Sequence, residues 1–213
     1  MVIAIDGPSG VGKTTVSRLV GESLGWPALD TGALYRAFTL AVLRAGIDPN
    51  DQSAVVELVP KVRVEFDGDR TYLDGEDVSR SIRSAEVTGA VSAVSALPAV
   101  RRHLVGVQRR WVAERGGSAV VEGRDIGTVV FPAAPVKVFL TARPHTRATR
   151  RARDEGSRDV GGVATDLGRR DRADSSRSAA PLRAAEDAVV IDTSELSAGQ
   201  VARRVLELVQ QAM

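Results

Sequence analysis

The sequence predicts an α/β protein, with a parallel β-sheet covered by helices on both faces and a small antiparallel insertion. Short apolar runs such as residues 2–5 and 136–140 are separated by stretches of helical periodicity, which is typical of buried parallel strands. From residue 62 to residue 73 apolar and charged residues instead alternate, and Asp67-Gly68-Asp69 marks a turn, which indicates an antiparallel hairpin. Residues 1–213 are expected to form a single domain with this hairpin as an insertion.

The individual elements follow from hydrophobic periodicity and from glycine and proline positions. The predicted strands of the parallel sheet lie at residues 2–5, 28–29, 118–121, 136–140 and 189–191. The predicted helices cover residues 14–24, 33–44, 86–115 with an interruption at Pro98, 143–155, 166–176 and 197–211. The Gly-rich, polar segment 156–165 is expected to be mobile.

The composition restricts the class of protein. At 213 residues the chain can form one sizeable core but hardly two full domains. It has no cysteine, so disulfide and thiol chemistry are excluded. No apolar run approaches the roughly 20 residues that span a bilayer, and the first apolar run ends at Asp6, which does not resemble a signal peptide. We therefore expect a cytoplasmic protein without a membrane partner.

The basic residues are mainly arginine. The formal net charge is only +2, but three of the 29 basic residues are lysine and 11 arginines lie between Arg143 and Arg183. Arginine pairs with phosphate in bidentate fashion. Aromatic residues make up only 4% of the chain, and none lies between Arg143 and Arg183 to stack on bases. The arginines therefore favour a phosphorylated small molecule over a nucleic-acid partner, although a solvated helix face is an equally simple explanation for any single arginine.

Residues 7–14, GPSGVGKT, match the phosphate-loop motif G-x-x-x-x-G-K-[ST] between a predicted strand and a predicted helix. The glycines let backbone N–H groups turn inward around an anion, and the helix N-terminus adds partial positive charge. We expect Lys13 to reach the β- and γ-phosphates of a nucleoside triphosphate and the Thr14 hydroxyl to bind Mg²⁺. The residues expected to contact this nucleotide are Gly7, Pro8, Ser9, Gly10, Val11, Gly12, Lys13, Thr14 and Thr15.

GTPase switches, motor ATPases and small-molecule kinases all carry such a loop. A guanine-reading N-K-x-D motif is absent, because the only asparagine, Asn50, is followed by aspartate. The D-x-x-G match at residues 159–162 has no predicted strand before it, and residues 120–122 are a poor candidate for the acidic strand end of a motor ATPase. A short chain with an early phosphate loop and a late arginine cluster favours a small-molecule kinase.

Three further stretches provide candidate residues for the phosphoryl acceptor. LDTGALYR, residues 29–36, is expected to start a helix with Tyr35 and Arg36 on its first turns. Gly123-Arg124-Asp125 follows a buried strand, at the carboxyl end where parallel sheets bind ligands. Arg170, Asp174 and Arg177 are spaced to lie on one helix face, where they could bind the acceptor or form a solvated salt-bridge ladder.

Taken together, these stretches resemble the bacterial cytidylate kinases, which phosphorylate CMP and dCMP with ATP. The resemblance covers essentially the whole chain. The stretches that carry it are IDGPSGVGKTT, LDTGALYR, LDGEDVS, SAVSALPAVR, VEGRDIGTVVFP, APVKVFLTA and RDRADSSRSAAPL.

The resemblance implies a P-loop NTPase fold with about five parallel strands, a monophosphate-binding region with its β-insertion at about residues 31–100, and a lid at about residues 145–170. It also implies ATP and Mg²⁺ as cofactors, CMP or dCMP as small-molecule partner, and a monomer. By motif, Lys13, Arg124, Arg147, Arg151 and Arg177 would act on the transferring phosphoryl group, with Thr14 as the metal ligand. The residues implied for CMP are Thr31, Tyr35, Arg36, Ser92, Arg101, Arg124, Asp125, Arg170, Asp174 and Arg177.

Some roles stay open from sequence alone. Asp6 and Asp30 end predicted strands near the phosphate loop, where each could hold Mg²⁺-bound water or cap a turn or helix. His103 and His145 fall in basic helical segments, for which surface positions are the simpler expectation. Alternative functions are a kinase of another acceptor, such as UMP, AMP, dTMP or shikimate, and a nucleotide-dependent RNA-binding or switch protein that uses residues 143–183.

Overall fold

The computed structural model describes residues 1–177 and 180–213, and separates into two compact units, residues 1–29 with 112–213 and residues 30–111. The strands are β1 (Val2–Asp6), β2 (Ala28–Asp30), β3 (Val64–Asp67), β4 (Arg70–Leu73), β5 (Glu76–Asp77), β6 (Ala119–Gly123), β7 (Val136–Thr141) and β8 (Val189–Asp192). The α-helices are α1 (Lys13–Leu24), α2 (Thr31–Arg44), α3 (Gln52–Leu58), α4 (Ala85–Ala96), α5 (Pro98–Glu114), α6 (Pro144–Glu155), α7 (Val160–Ser175) and α8 (Ala198–Ala212).

The first unit is built on a five-stranded sheet, which confirms the predicted number of strands, and their order is β2-β6-β1-β7-β8. Strand β1 pairs in parallel with both β6 and β7, and its last residue, Asp6, lies opposite Gly123 and Phe139. The central residues of β1, Ile3 and Ile5, are fully buried in the core of this unit. Because the carboxyl ends of β1, β6 and β7 meet at one edge, the segments that follow them are brought together there.

The second unit packs α2, α3, α4 and part of α5 around its own apolar core. The predicted hairpin is present as β3 and β4, in which Val64 pairs with Leu73 and both side chains are buried in that core. A third strand, β5, which the sequence did not predict, extends it to a three-stranded antiparallel sheet. Asp74 and Gly75 have positive φ angles of 51° and 88° and make the tight turn between β4 and β5.

The predicted start of the helix at residue 166 is wrong, because α7 begins at Val160 within the segment expected to be mobile. The Asp159 side chain accepts a hydrogen bond from the Gly162 N–H at 2.8 Å and caps the helix. The D-x-x-G match at residues 159–162 is therefore a helix N-terminus. Helix α3 and a turn of π-helix at Ile126–Val130 were also not predicted.

Two residues of the RDRADSSRSAAPL stretch, Ser178 and Ala179, lie outside the described residues. Arg177 follows the last helical residue of α7, Ser175, so it lies beyond the helix on which the sequence placed it. Within residues 1–177 and 180–213, no helix is both long and apolar enough to cross a membrane.

The cap of α7 can be tested with Asp159→Ala. We expect it to destabilise the first turn of α7 by about 1 kcal/mol, because the Gly162 N–H loses its acceptor. Amide hydrogen exchange at residues 161–164 should become roughly fivefold faster. Asp166→Ala, a change at an exposed position within the same helix, is the control. Equal exchange in both variants would show that the cap does not stabilise the helix.

Candidate functional site

The phosphate loop connects β1 to α1 and packs closely against β7 and α6. Gly7 has φ 148°, and a Cβ atom there would lie 2.3 Å from the Leu140 carbonyl oxygen. Gly10 has φ 79°, and its Cβ would lie 2.7 Å from the Arg147 carbonyl oxygen. Both positions therefore require glycine, since any side chain would push the loop away from β7 and α6.

Carbonyl oxygens of this loop accept hydrogen bonds from groups around it. In a trans peptide unit the C=O and the following N–H point in opposite directions, so a carbonyl held toward one side fixes the next N–H toward the other. The loop thus keeps N–H groups available for an anion. The bonds are Arg124 Nη1 to Gly7 O (2.9 Å), Lys13 Nζ to Pro8 O (2.9 Å), Thr193 Oγ1 to Val11 O (3.1 Å) and Val16 N to Gly12 O (3.1 Å).

Arg124, the residue after β6, links the phosphate loop to the end of α7. Its Nη2 donates to Ser9 Oγ at 2.8 Å, and its Nε donates to Asp174 Oδ2 at 2.8 Å. The other oxygen of Asp174 accepts from Arg177 Nη2 at 2.5 Å, and the Asp174 side chain is only 6% exposed. The structure therefore brings Arg124, Asp174 and Arg177 together, although both Asp174 oxygens bind arginines within the protein.

The arginines predicted for the lid also meet carboxylates. Arg147 is buried and donates to Asp171, and Arg151 pairs with Glu155 at 2.6 Å. Arg170 is half-buried, and within the described chain its Nε has no hydrogen-bond partner. Burial lowers the pKa of Arg170, and the positive charge of Arg124 lowers it further. This part of the first unit concentrates positive charge that is suited to a polyanionic ligand.

Asp6 holds the segment that follows Arg124 and Asp125. Its two carboxylate oxygens accept hydrogen bonds from Ile126 N and Gly127 N, each at 2.8 Å. The side chain is buried, and burial raises the pKa of Asp6 to about 6, an effect that the two hydrogen bonds and Lys13 oppose. These bonds support a backbone-holding role for Asp6. Asp30 Oδ1 similarly accepts from Ala33 N at 3.3 Å and caps α2.

The remaining predicted acceptor residues lie in the second unit. Tyr35 and Arg101 are buried, and the Arg101 guanidinium lies 5.4 Å from the centre of the Tyr35 ring. Arg101 also donates to the Ser95 carbonyl oxygen at 3.2 Å. Arg36 donates to Thr88 Oγ1 at 2.9 Å. Thr31, the first residue of α2, is buried, and Ser92 on α4 is half-buried.

Two side chains that support the site were missed from sequence. Thr193 contacts the phosphate loop, and Arg150 contacts Thr193. Each contact joins residues far apart in the chain, so periodicity carries no signal for it. The position of Thr193 directly after β8, at the carboxyl edge of the sheet, is the one feature that could have indicated it.

A magnesium ion fits the loop only as a partner of phosphate. Thr14 is exposed on the first turn of α1, and among the described residues no cluster of three or more Asp, Glu, His or Cys side chains could hold a metal. Mg²⁺ bound to nucleotides takes most of its ligands from phosphate and water and one or two from the protein. The single Thr14 hydroxyl is compatible with that coordination.

The phosphate loop between the first strand and helix of a parallel sheet, with arginines around it, defines a P-loop protein that binds a nucleoside triphosphate. The family model described as Cytidylate kinase matches residues 3–211, and the chain belongs to that family.

Curated relatives match along nearly the whole chain. A protein named Cytidylate kinase from Mycobacterium leprae (strain Br4923) is 54% identical over an aligned length of 215 residues, and the alignment covers 99% of this chain and 96% of the relative. One of the same name from Rhodococcus opacus (strain B4) is 49% identical over 99% of this chain and 95% of its own length. Among solved structures, a gluconokinase from Sinorhizobium meliloti 1021 has a TM-score of 0.52 at 16% identity, covering 99% and 93% of the two chains, which shows a shared fold.

The raised pKa of Asp6 predicts a pH effect on stability. A carboxyl with a higher pKa in the folded state stabilises the fold below its unfolded pKa and loses that contribution as the pH rises through the folded pKa of about 6. The free energy of unfolding of the wild type, relative to Asp6→Asn, should therefore increase by about 2 kcal/mol as the pH falls from 7 to 4.

Denaturant unfolding without nucleotide measures this difference, because the substituted amide does not titrate. A difference that stays constant, or that decreases toward acid pH, would show that the Asp6 carboxyl is not held in the buried environment described here.

Proposed function

We propose that the protein transfers the γ-phosphoryl group of ATP to CMP or dCMP, giving ADP and CDP or dCDP. Family membership supports this reaction, and the phosphate loop supports the donor. The observation that carries the proposal is the position of Arg124, which contacts the phosphate loop on one side and the Asp174–Arg177 pair on the other. An arginine between these two groups can bind phosphates of both the donor and the acceptor nucleotide.

This chemistry needs charge neutralisation more than a base. A phosphate monoester has a second pKa near 6, so the attacking oxygen of CMP is largely ionised at neutral pH. The barrier comes from two polyanions that must approach each other, and Lys13 with the arginines offsets their repulsion. Bound Mg²⁺ would add charge neutralisation across the donor phosphates, held in the protein by Thr14.

The ion pairs of the lid arginines support the same role. Arg147 binds Asp171 and Arg151 binds Glu155, so the carboxylates hold both charges at defined positions. We propose that phosphate oxygens of the donor replace these carboxylates during binding. Such an exchange keeps the number of charge-assisted hydrogen bonds nearly constant, which lowers the desolvation cost of recruiting the arginines.

The donor base has a candidate position in the first unit. A surface groove lies beside Thr193, whose hydroxyl contacts the phosphate loop. The groove lining includes both chain neighbours of Thr193, Asp192 and Ser194, so a base placed there would lie near the residue that contacts the loop. The residues that line the groove are Arg143, Asp192, Ser194, Glu195, Leu196 and Arg204.

For the acceptor, we propose that the residues indicated by the sequence bind CMP or dCMP. Asp125 and Arg101 would read the cytosine, Ser92 would assist them, and Arg36 would bind the phosphate with Arg124 and Arg177. Tyr35, Arg170 and Asp174 would contact the sugar. Burial of Asp125 and Arg101 supports a recognition role, since buried charged groups strongly penalise a mismatched ligand. We further propose a monomer that acts in the cytoplasm, where ATP and CMP are available, without a nucleic-acid partner.

Lys13→Ala should lower kcat by at least a factor of about 100 while leaving the fold intact, because the lost ammonium stabilises charge in the transition state. A coupled assay of ADP release measures kcat, and circular dichroism checks the fold. Lys61→Ala, at an exposed lysine of the second unit, is the matched control. Near-normal turnover by Lys13→Ala would contradict the assignment of the phosphate loop.

An acceptor panel tests the substrate. Cytosine has a 4-amino donor and an N3 acceptor, whereas uracil has a carbonyl acceptor and an N–H donor at these positions. With UMP, the Asp125 carboxylate would therefore face an acceptor and the Arg101 guanidinium would face a donor. Such mismatches support a preference for CMP and dCMP over UMP on the order of 100-fold in kcat/KM. Asp125→Asn should reduce the CMP/UMP ratio, because an amide can donate to the uracil carbonyl.

The panel should also include AMP, dTMP and shikimate. Equal kcat/KM for CMP and UMP in the wild type would contradict cytosine recognition but not kinase activity. A higher kcat/KM for one of the other acceptors would replace CMP with that acceptor.

A further inference from the structure

Thr193 occupies a buried position between the sheet and the phosphate loop. It follows the last residue of β8, and only 2% of its surface is exposed. Its N–H donates to the Thr141 carbonyl oxygen at 2.8 Å, which extends the β7–β8 ladder by one bond. Its hydroxyl lies 3.1 Å from the carbonyl oxygen of Val11, in the middle of the phosphate loop. A side chain anchored to the sheet thus contacts the loop.

The direction of this hydrogen bond is fixed by Arg150. Arg150, on α6, places Nη1 2.9 Å from Thr193 Oγ1 and Nη2 2.7 Å from the Thr193 carbonyl oxygen. A guanidinium can only donate, so the hydroxyl oxygen accepts from Arg150 and its single proton is left for Val11 O. Arg150 therefore orients the Thr193 hydroxyl and connects α6 to the loop.

The bond to Val11 O has a direct consequence for anion binding. Because the Val11–Gly12 peptide is planar and trans, holding its carbonyl toward Thr193 fixes the Gly12 N–H toward the opposite side. Gly12 is the N-cap of α1 and has φ 92°, so without such a contact this peptide could rotate at low steric cost. A peptide that rotates would present a carbonyl oxygen to the phosphates in place of an N–H.

We propose that Thr193 is a positioning residue for the donor phosphates, oriented by Arg150, and that it acts by fixing the Val11–Gly12 peptide. The assignment rests on the proposed kinase function for its kinetic consequences, but its effect on nucleotide binding can be measured independently. It predicts a defect specific to the donor nucleotide, since the contacts of Thr193 described above are with Val11, Thr141 and Arg150, none of which is proposed to bind the acceptor.

The test compares Thr193→Val with Thr193→Ser. Valine keeps the size and β-branching but removes the hydroxyl, whereas serine keeps the hydroxyl. We expect Thr193→Val to raise the Kd for ADP and the KM for ATP about tenfold, the effect of one buried acceptor left unpaired, while the KM for CMP stays within twofold. Thr193→Ser should retain the wild-type ADP affinity within about threefold.

A second pair of variants covers the possibility that Thr193→Val does not fold. Arg150→Leu removes the group that orients the hydroxyl without altering Thr193, and should raise the Kd for ADP about threefold or more. Arg153→Leu, at an exposed arginine of the same helix, is the matched control and should leave the Kd unchanged.

The outcomes separate this inference from the proposed function. Titration calorimetry with ADP supports the inference if Thr193→Val and Arg150→Leu bind more weakly while Thr193→Ser and Arg153→Leu do not. Unchanged ADP affinity in Thr193→Val or Arg150→Leu overturns it, as does an equal loss of ADP and CMP affinity with a lowered Tm, which would indicate a general structural role. Absence of kinase activity in the wild type would instead contradict the proposed function and would leave the binding comparison valid.

Discussion

The orientation of the peptide groups in the phosphate loop is the constraint on which the remaining site depends. A loop that binds an anion must direct N–H groups inward, so its carbonyl oxygens must be satisfied from outside. Arg124, Lys13 and Thr193 each bind one of these oxygens; Arg124 follows β6, Lys13 is the first residue of α1, and Thr193 follows β8. The loop geometry is therefore a property of the assembled sheet edge and not of the glycine-rich sequence alone.

Because the loop geometry depends on the assembled sheet edge, residues outside the loop are also held in place by several hydrogen bonds. Asp6 holds Ile126 N and Gly127 N, and thereby fixes the chain just after Arg124, which binds both Gly7 O and Asp174. Burial raises the pKa of the Asp6 carboxylate to about 6, which shows that burying its charge costs free energy. Asp6 therefore contributes more to positioning the chain after Arg124 than to the stability of the fold. Pairing of the arginines with carboxylates likewise limits mutual repulsion within a dense cationic cluster.

Local patterns predicted much of this architecture. The strands other than β5, the phosphate loop and the first turns of α2 were predicted because apolar periodicity and glycine spacing are properties of neighbouring residues. The early start of α7 was missed because Gly161 and Gly162 each disfavour a helix by about 1 kcal/mol, and the cap by Asp159 was not weighed against them. The turn at Ile126–Val130 was missed because its partner, Asp6, lies 120 residues away.

For the candidate site, recurring motifs indicated candidate residues but not the side chains that contact them. Arg124, Asp174 and Arg177 are three of the ten residues that the sequence assigned to the acceptor, and both arginines contact Asp174 in the structure. Thr193 and Arg150 depend on the register of β7 and β8 and on the packing of α6, which no short motif encodes. The boundary between the two compact units could not be predicted from the sequence, because α5 continues without a break past Trp111, the last residue of the second unit.

A high-resolution crystal structure of the protein with ADP and Mg²⁺ tests the orientation of the loop peptides most directly. We expect the β-phosphate to lie within about 3 Å of backbone N–H groups of residues 10–13. We also expect the loop backbone to move by less than about 1 Å, with Val11 O still bound to Thr193. A β-phosphate bound elsewhere, or a loop whose Val11–Gly12 peptide has rotated away from Thr193, would contradict this orientation.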